Sequence, residues 1–193
     1  MIQRMTVAWL LVVLVLVAGC GPPGTAFQCT DAIGCVDVAP GEAVQIGALQ
    51  ALSGSLGPQG REHLQCTELA LDDRGGELLG HPLELQTADS MCSGEGGTTA
   101  ALKITADPRD IGLLGPTCSW AAASAMKVVS DAGLVMIAGS CSAPSLTSVG
   151  GQPGADWQPG FLRTAQNDAL VGRTAATFAY QVLGVREAAT IHD

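Results

Sequence analysis

From residue 43 onward, short apolar runs alternate with longer amphipathic ones, and no other feature narrows the possible folds as much. Residues 44–49 (VQIGAL) read as a buried strand. Residues 64–71, with the spacing of Leu64, Ala70 and Leu71, read as part of a helix closed by the glycine stop Arg74-Gly75-Gly76. The alternation repeats: 82–88 is strand-like, 97–106 helix-like, 111–115 a strand, 119–131 a helix and 134–138 a strand. Strands alternating with helices imply a parallel sheet covered on both faces, hence an α/β, doubly wound, Rossmann-like domain. Such sheets bind ligands beyond the carboxyl ends of their strands, where strand order reverses. Three serine-rich loops fall there: 52–60 (LSGSLGPQG), 116–120 (PTCSW) and 139–144 (GSCSAP). After the Gly- and Pro-rich stretch 150–160 come Phe161-Leu162-Arg163-Thr164, a helix from Asp168 to about Leu183, and a strand over 188–192. The sequence ends inside that unit, which predicts a piece of a longer protein.

Ser119 poses the main question. A serine at the start of a helix can cap the helix itself, or join the first backbone N–H groups and the positive dipole end in holding an anion. The sequence around it, GLLGPTCSWAAASAM, admits both readings.

The N-terminus is of another kind. Arg4 is the only charge before a run of twelve apolar residues, 7–18, too short for a membrane span and suited to the core of a secretory signal. The following Val17-Ala18-Gly19-Cys20 resembles the lipobox of bacterial lipoproteins, which implies removal of residues 1–19 and lipidation of Cys20. Such a protein is exported and anchored to the bacterial membrane, on its periplasmic or outer face. Residues 20–42, opening on Gly-Pro-Pro-Gly-Thr, read as a lipidated cysteine and tether.

The chain carries 9 Lys+Arg against 18 Asp+Glu, a formal charge of -9, and loss of Arg4 makes it more acidic. Nucleic acid is excluded as a natural partner, because phosphate binding needs Lys and Arg in quantity. With Cys20 lipidated, Cys29, Cys35, Cys66, Cys92, Cys118 and Cys141 remain, an even set that points to disulfides in an exported chain. Spacing does not choose among the fifteen connectivities that six cysteines allow. A metal site is not expected: there is no C-x2-C pair, and His63, His81 and His192 are scattered. Nor is a cofactor: in Gly94-Glu95-Gly96-Gly97, Thr99 replaces the third glycine of a dinucleotide fingerprint and Glu95 repels pyrophosphate. A hydrolase reading lacks G-x-S-x-G and a base placed beside Ser119 or Ser140.

The stretches ALSGSLGPQG, ALDDRGGELLGHPLEL, DSMCSGEGGTTAALKI, LLGPTCS, AGLVMIAGSCSAPSLT and FLRTAQND, in this order, resemble the type I periplasmic binding proteins, specifically the leucine/isoleucine/valine-binding branch that feeds ABC transporters. The resemblance implies a two-lobed protein that does no chemistry on its ligand and works with an ABC transporter permease. Residues 43–164 would be its first lobe and 165–193 the truncated start of the second. It implies a Cys92–Cys118 disulfide, and elimination then leaves Cys29 with Cys35 and Cys66 with Cys141. It assigns Ser119 to the α-carboxylate of an amino acid-like ligand, the Ser140 carbonyl to the α-ammonium, and the Ser142 hydroxyl to both. Gln59 stands where the family often has an aromatic residue, Trp120 where a small polar one is common, and Val171 where Gln is frequent. Gln59 and Trp120 complete the expected ligand-facing set. The same architecture also serves as the extracellular part of receptors and regulators, which would need a spanning helix elsewhere in the protein.

Overall fold

A computed structural model describes residues 28–190; the expected leader, Cys20 and the first part of the tether lie outside the described residues. The elements below belong to the compact unit that starts at Asp31.

A six-stranded sheet forms the centre. Its strands are β1 (Val44–Gln50), β2 (Glu77–Leu78), β3 (His81–Asp89), β4 (Asp110–Leu114), β5 (Met136–Ala138) and β8 (Phe161–Arg163). Their spatial order is β2-β3-β1-β4-β5-β8, and all pairs are parallel except β2 with β3. Two short strands, β6 (Ser148–Val149) and β7 (Gln152–Pro153), form a separate hairpin. The helices are α1 (Gly57–Asp73), α2 (Gly94–Ile104), α3 (Ser119–Asp131) and α4 (Asp168–Gln181). From β1 the chain crosses to β3 on one side, and later to β4 on the other. The reversal of order therefore falls at β1, the position at which doubly wound sheets collect ligands.

Period-two alternation divides the sheet into two unlike faces. Leu49, Leu113, Met136, Ala138 and Phe161 point to the face covered by α2 and α3 and form the main core with Ile104, Met126 and Val129. α2 and α3 approach closely because small residues line the seam: a Cβ on Gly97 would lie 2.5 Å from the Ala121 carbonyl oxygen. On the opposite face α1 buries only Gly57, Gly60 and Thr67. Beside it Ile46, Ile111, Gly112, Leu114, Val135 and Ile137 line a shallow apolar hollow of about 190 Å³.

Up to residue 181 the strands and helices expected from periodicity form, most of them with shifted ends. α2 begins at Gly94, ahead of the expected residue 97, because Ser93 Oγ accepts from Gly96 N at 3.0 Å and caps it there. α1 extends back to Gly57, with Pro58 in its first turn, where a missing N–H costs nothing. The strand expected over 188–192 is not formed at 188–190, and the remaining residues lie outside the described part. A strand exists through its ladder, and no strand among the described residues pairs with this segment.

Candidate functional site

At the carboxyl end of β1, Gln50 is 4% exposed and forms the base of the site. Its amide Nε2 donates to Leu114 O at 3.3 Å, while Oε1 accepts from Thr117 Oγ1 at 2.8 Å and lies 3.4 Å from His63 Nδ1. Thr117 Oγ1 also accepts from Ala51 N at 3.1 Å, so one buried hydroxyl ties the β1 and β4 loops together. The chain can turn there only with glycine: Gly115 has φ +116°, and a Cβ would fall 1.9 Å from Leu49 O. Asp89, at the end of β3, holds the first loop, accepting from Leu52 N at 2.9 Å and Met91 N at 2.8 Å. Partial burial raises its pKa, but hydrogen bonds from the Ser53 side chain and from the Met91, Leu52 and Ser53 N–H groups outweigh that and lower it.

Cys92 and Cys118 are disulfide-bonded, with a Cα separation of 5.3 Å, and join the turn before α2 to the turn before α3. Cys29 and Cys35 each take part in a disulfide. The pairing expected between Cys66 and Cys141 is not formed: both are free thiols, one exposed and one buried. Cys66 lies on α1, while Cys141 follows β5 and directs its Sγ at Pro116 O, 3.1 Å away. Burial pushes the Cys141 thiol up to about 12, against the pull of Arg163.

Ser119 does not cap its helix. Cys118 holds the N-cap position of α3 and makes no side-chain capping bond, and Ser119 opens the first turn. Its Oγ instead accepts from Ala143 N at 3.2 Å, across to the loop after β5. In that loop Ser140 Oγ donates to Thr117 O at 2.8 Å, and Ser142 Oγ donates to Asp168 Oδ2 at 3.0 Å. Ser119, Ser140 and Ser142 are thus brought onto one rim by Thr117, Ala143 and their own hydroxyls. Gln59 is exposed in the first turn of α1, and Trp120 is 78% exposed beside Ser119. Val171 is also exposed, on α4.

Sequence reasoning missed Gln50, Thr117, Arg163 and Asp168. Arg163 Nη1 donates to Cys141 O at 3.0 Å and Ala143 O at 2.8 Å, and Nη2 to Thr147 Oγ1 at 2.6 Å. The signal available was the parallel order itself, since Arg163 is the register partner of Ala138, immediately before the serine loop.

A cavity of about 280 Å³ lies between α1 and the strand ends, lined by Gln50, His63, Cys66, Thr67, Leu114, Gly115, Ile137, Gly139 and Thr164. The three serines are not among its walls. The Gly94–Gly97 stretch faces protein: a Cβ on Gly96 would meet Ser90 O at 2.1 Å. Its glycines serve close packing. His81 Nδ1 contacts Glu42 O at 2.8 Å, and His63 is engaged with Gln50, so neither imidazole bonds to a rim serine. Among the described residues no group of three His, Cys, Asp or Glu could hold a metal ion, and no helix is long and apolar enough to cross a membrane.

A doubly wound lobe with hydroxyls and a helix N-terminus gathered at its strand ends is the architecture of a ligand-binding α/β domain. Residues 43–193 match the periplasmic binding protein family, and the chain belongs to it. It is 27% identical over 160 residues to the Leu/Ile/Val-binding protein of Escherichia coli (strain K12), covering 81% of this chain and 41% of that protein. An ABC transporter substrate-binding protein from Sphaerobacter thermophilus superposes with a TM-score of 0.65 at 30% identity, over 75% of this chain and 38% of that one. The branched-chain amino acid transporter substrate binding protein of Streptococcus pneumoniae, solved with isoleucine, shares the fold with a TM-score of 0.61 at 21% identity, over 74% and 39% of the two chains. The chain thus spans about two fifths of the length of the relatives it matches.

Proposed function

We propose that this chain is the ligand-binding part of an extracytoplasmic solute-binding lipoprotein of an ABC importer. It takes up an amino acid or a related small zwitterion or amide between two lobes and passes it unchanged to a permease. Residues 43–164 form the first lobe and 165–193 begin the second; the leader is 1–19, and Cys20 carries the lipid. The observation that carries the reading is the Ser119 hydroxyl. It accepts from Ala143 N across the rim, leaving its own hydrogen free for a carboxylate in front of the first N–H groups of α3. The matched relatives are binding proteins, and the engagement of the two described imidazoles, His63 and His81, away from the serines supports a site without chemistry.

A hydrogen bond to a charged group contributes roughly 1.5–3 kcal/mol, so Ser119→Ala in the full-length protein weakens ligand binding by about tenfold to a hundredfold in calorimetry. Unchanged affinity reduces Ser119 to a tie between two loops. The 193-residue chain alone binds weakly, because contacts from the opposing lobe and the closure that excludes water are missing.

A further inference from the structure

Toward the amino ends of the strands, at the pole opposite the serine rim, the sheet buries polar side chains that no neighbour satisfies. Gln45 of β1 is 8% exposed and Asp110 of β4 is 1% exposed. Gln45 Oε1, both carboxylate oxygens of Asp110 and Gln86 Oε1 of β3 are shielded from solvent and have no hydrogen-bond partner among the described residues. Burying an unpartnered polar group is costly, and a carboxylate most of all, so such oxygens gathered in one place call for a common partner.

The register of the sheet gathers them. Gln45 and Asp110 are partners across β1 and β4, and Gln45 N donates to Arg109 O at 3.0 Å, which holds the two strands together at that point. Gln86 is the β3 partner of Gly47, two residues along β1 from Gln45, so it points to the same face. That face lies under α2: a Cβ on Gly47 would fall 2.5 Å from Cγ2 of Ile104, the last residue of the helix. The carboxyl end of α2 therefore sits over this part of the sheet, where its dipole favours positive charge.

The cations of the chain do not fill the role. Arg109 donates to Asp107 and Glu84, and Lys103 Nζ donates to Thr87 O at 3.4 Å. A proton on Asp110 would serve one amide oxygen and leave the other without a donor. One carboxylate and two amide oxygens, acceptors all, make the donor set of a hard cation. A hollow of about 460 Å³, lined by Glu42, Gln86, Lys103, Asp107 and Arg109 among others, opens beside Gln86 and gives an ion a way in.

We propose that Gln45, Gln86 and Asp110 form a calcium site that ties β1, β3 and β4 together at the pole opposite the rim. Asp110 supplies the charge, the two amides supply neutral oxygens, and water completes the roughly six to eight ligands that calcium takes. Magnesium, which demands a compact octahedron, fits this set less well. With a single carboxylate the site is weak, in the range of about 10⁻⁴–10⁻³ M found in extracellular modules. The site does not depend on what the rim binds.

The test is thermal unfolding of the full-length protein at about pH 8 and constant ionic strength, in EDTA and then with about 10 mM calcium, magnesium or sodium chloride. At a dissociation constant near 1 mM, calcium favours the folded state about elevenfold, which raises the melting temperature by about 3–6 °C. Magnesium and sodium leave it nearly unchanged. Asp110→Asn keeps the shape of the side chain and loses the charge, so it melts higher than the unaltered protein in EDTA and no longer responds to calcium. Gln86→Leu, at a half-buried position, loses one ligand and responds less. Glu84→Gln, an exposed carboxylate outside the set, responds in full. No calcium response in the unaltered protein overturns the proposal. An equal response to all three salts, or a full response in Asp110→Asn or Gln86→Leu, marks screening of surface carboxylates or another site and overturns it too.

Discussion

Replacement of Arg163 by alanine tests how the serine rim is held. Its guanidinium makes three hydrogen bonds, at 2.8 and 3.0 Å to the carbonyls of Ala143 and Cys141 and at 2.6 Å to Thr147 Oγ1. Charge-assisted bonds of this kind contribute more than neutral ones, roughly 1.5–3 kcal/mol each when removal strands a partner. Here the Arg163 side chain is half-buried, so water can replace part of what is lost, and the contributions within one cluster are not additive. A total near 3 kcal/mol follows. For a chain of this size that corresponds to a melting temperature lower by about 6–12 °C. Arg163→Lys keeps the charge but offers one nitrogen to three acceptors, so it recovers only part of the loss. Thermal and urea denaturation of the three proteins read stability, and calorimetry of the full-length forms reads ligand affinity. Since the loop of Ser140 and Ser142 is what Arg163 holds, affinity falls together with stability. A melting temperature within 2 °C of the unaltered protein refutes the argument, because the three bonds then contribute almost nothing to the fold.

The thiols offer a second check. Labelling of the folded, oxidised protein modifies exposed Cys66 rapidly and buried Cys141 only after unfolding; a peptide joining the two in non-reducing digests contradicts the structure. Replacing Cys92 and Cys118 together by serine lowers stability by about 3 kcal/mol, as expected for a crosslink at a sequence separation of 26, and urea titration measures it. Asp110, 1% exposed at the start of β4, has its carboxyl pushed up to about 7, by burial first and by Asp107 second, with Arg109 pulling the other way. Its folded-state pKa lies above the ordinary 3.8, so the folded protein binds the proton more tightly and stability falls as pH rises from about 4 to about 7. Asp110→Asn removes that loss and raises stability at pH 8 by on the order of 2 kcal/mol, with little effect at pH 4; an equal effect at both pH values excludes the mechanism.

The alternation of elements was legible because each parallel strand is buried on at least one face and writes its own apolar run, as 44–49 and 111–115 do. Element ends were less so: α2 starts where Ser93 can cap it, a side-chain event that hydrophobic periodicity does not record. Ser119 was legible as a position, from the strand–turn–helix pattern, but not as a geometry. Whether it caps α3 or reaches Ala143 depends on how β5 is placed beside β4, which is a matter of sheet order. Arg163 and Asp168 were invisible for the same reason, as their partners lie 16 to 26 residues away along the chain and meet them only because β8 pairs with β5. Cysteine pairing failed where elimination stood in for geometry. Cys66 and Cys141 were left over in the count, yet one lies exposed on α1 and the other is buried behind Pro116.

If the proposed ligand carries a carboxylate, an acidic chain needs some means of offsetting its own charge. With 18 Asp+Glu against 9 Lys+Arg, the long-range field of the chain disfavours anions. Among the described residues the rim offers no free cation at the serines, since the guanidinium of Arg163 is committed to carbonyls and a hydroxyl. What it offers a carboxylate is short-ranged: the Ser119 hydroxyl and the N–H groups that open α3, whose effect falls off within a turn of helix. Such a device acts only on a group already in contact, so it does not draw anions from solution. A ligand of zero net charge meets no repulsion on approach and still finds a donor pole and an acceptor pole on arrival. Net acidity of the chain and dipolar construction of the rim therefore act in the same direction, and both favour the zwitterion proposed above as the ligand.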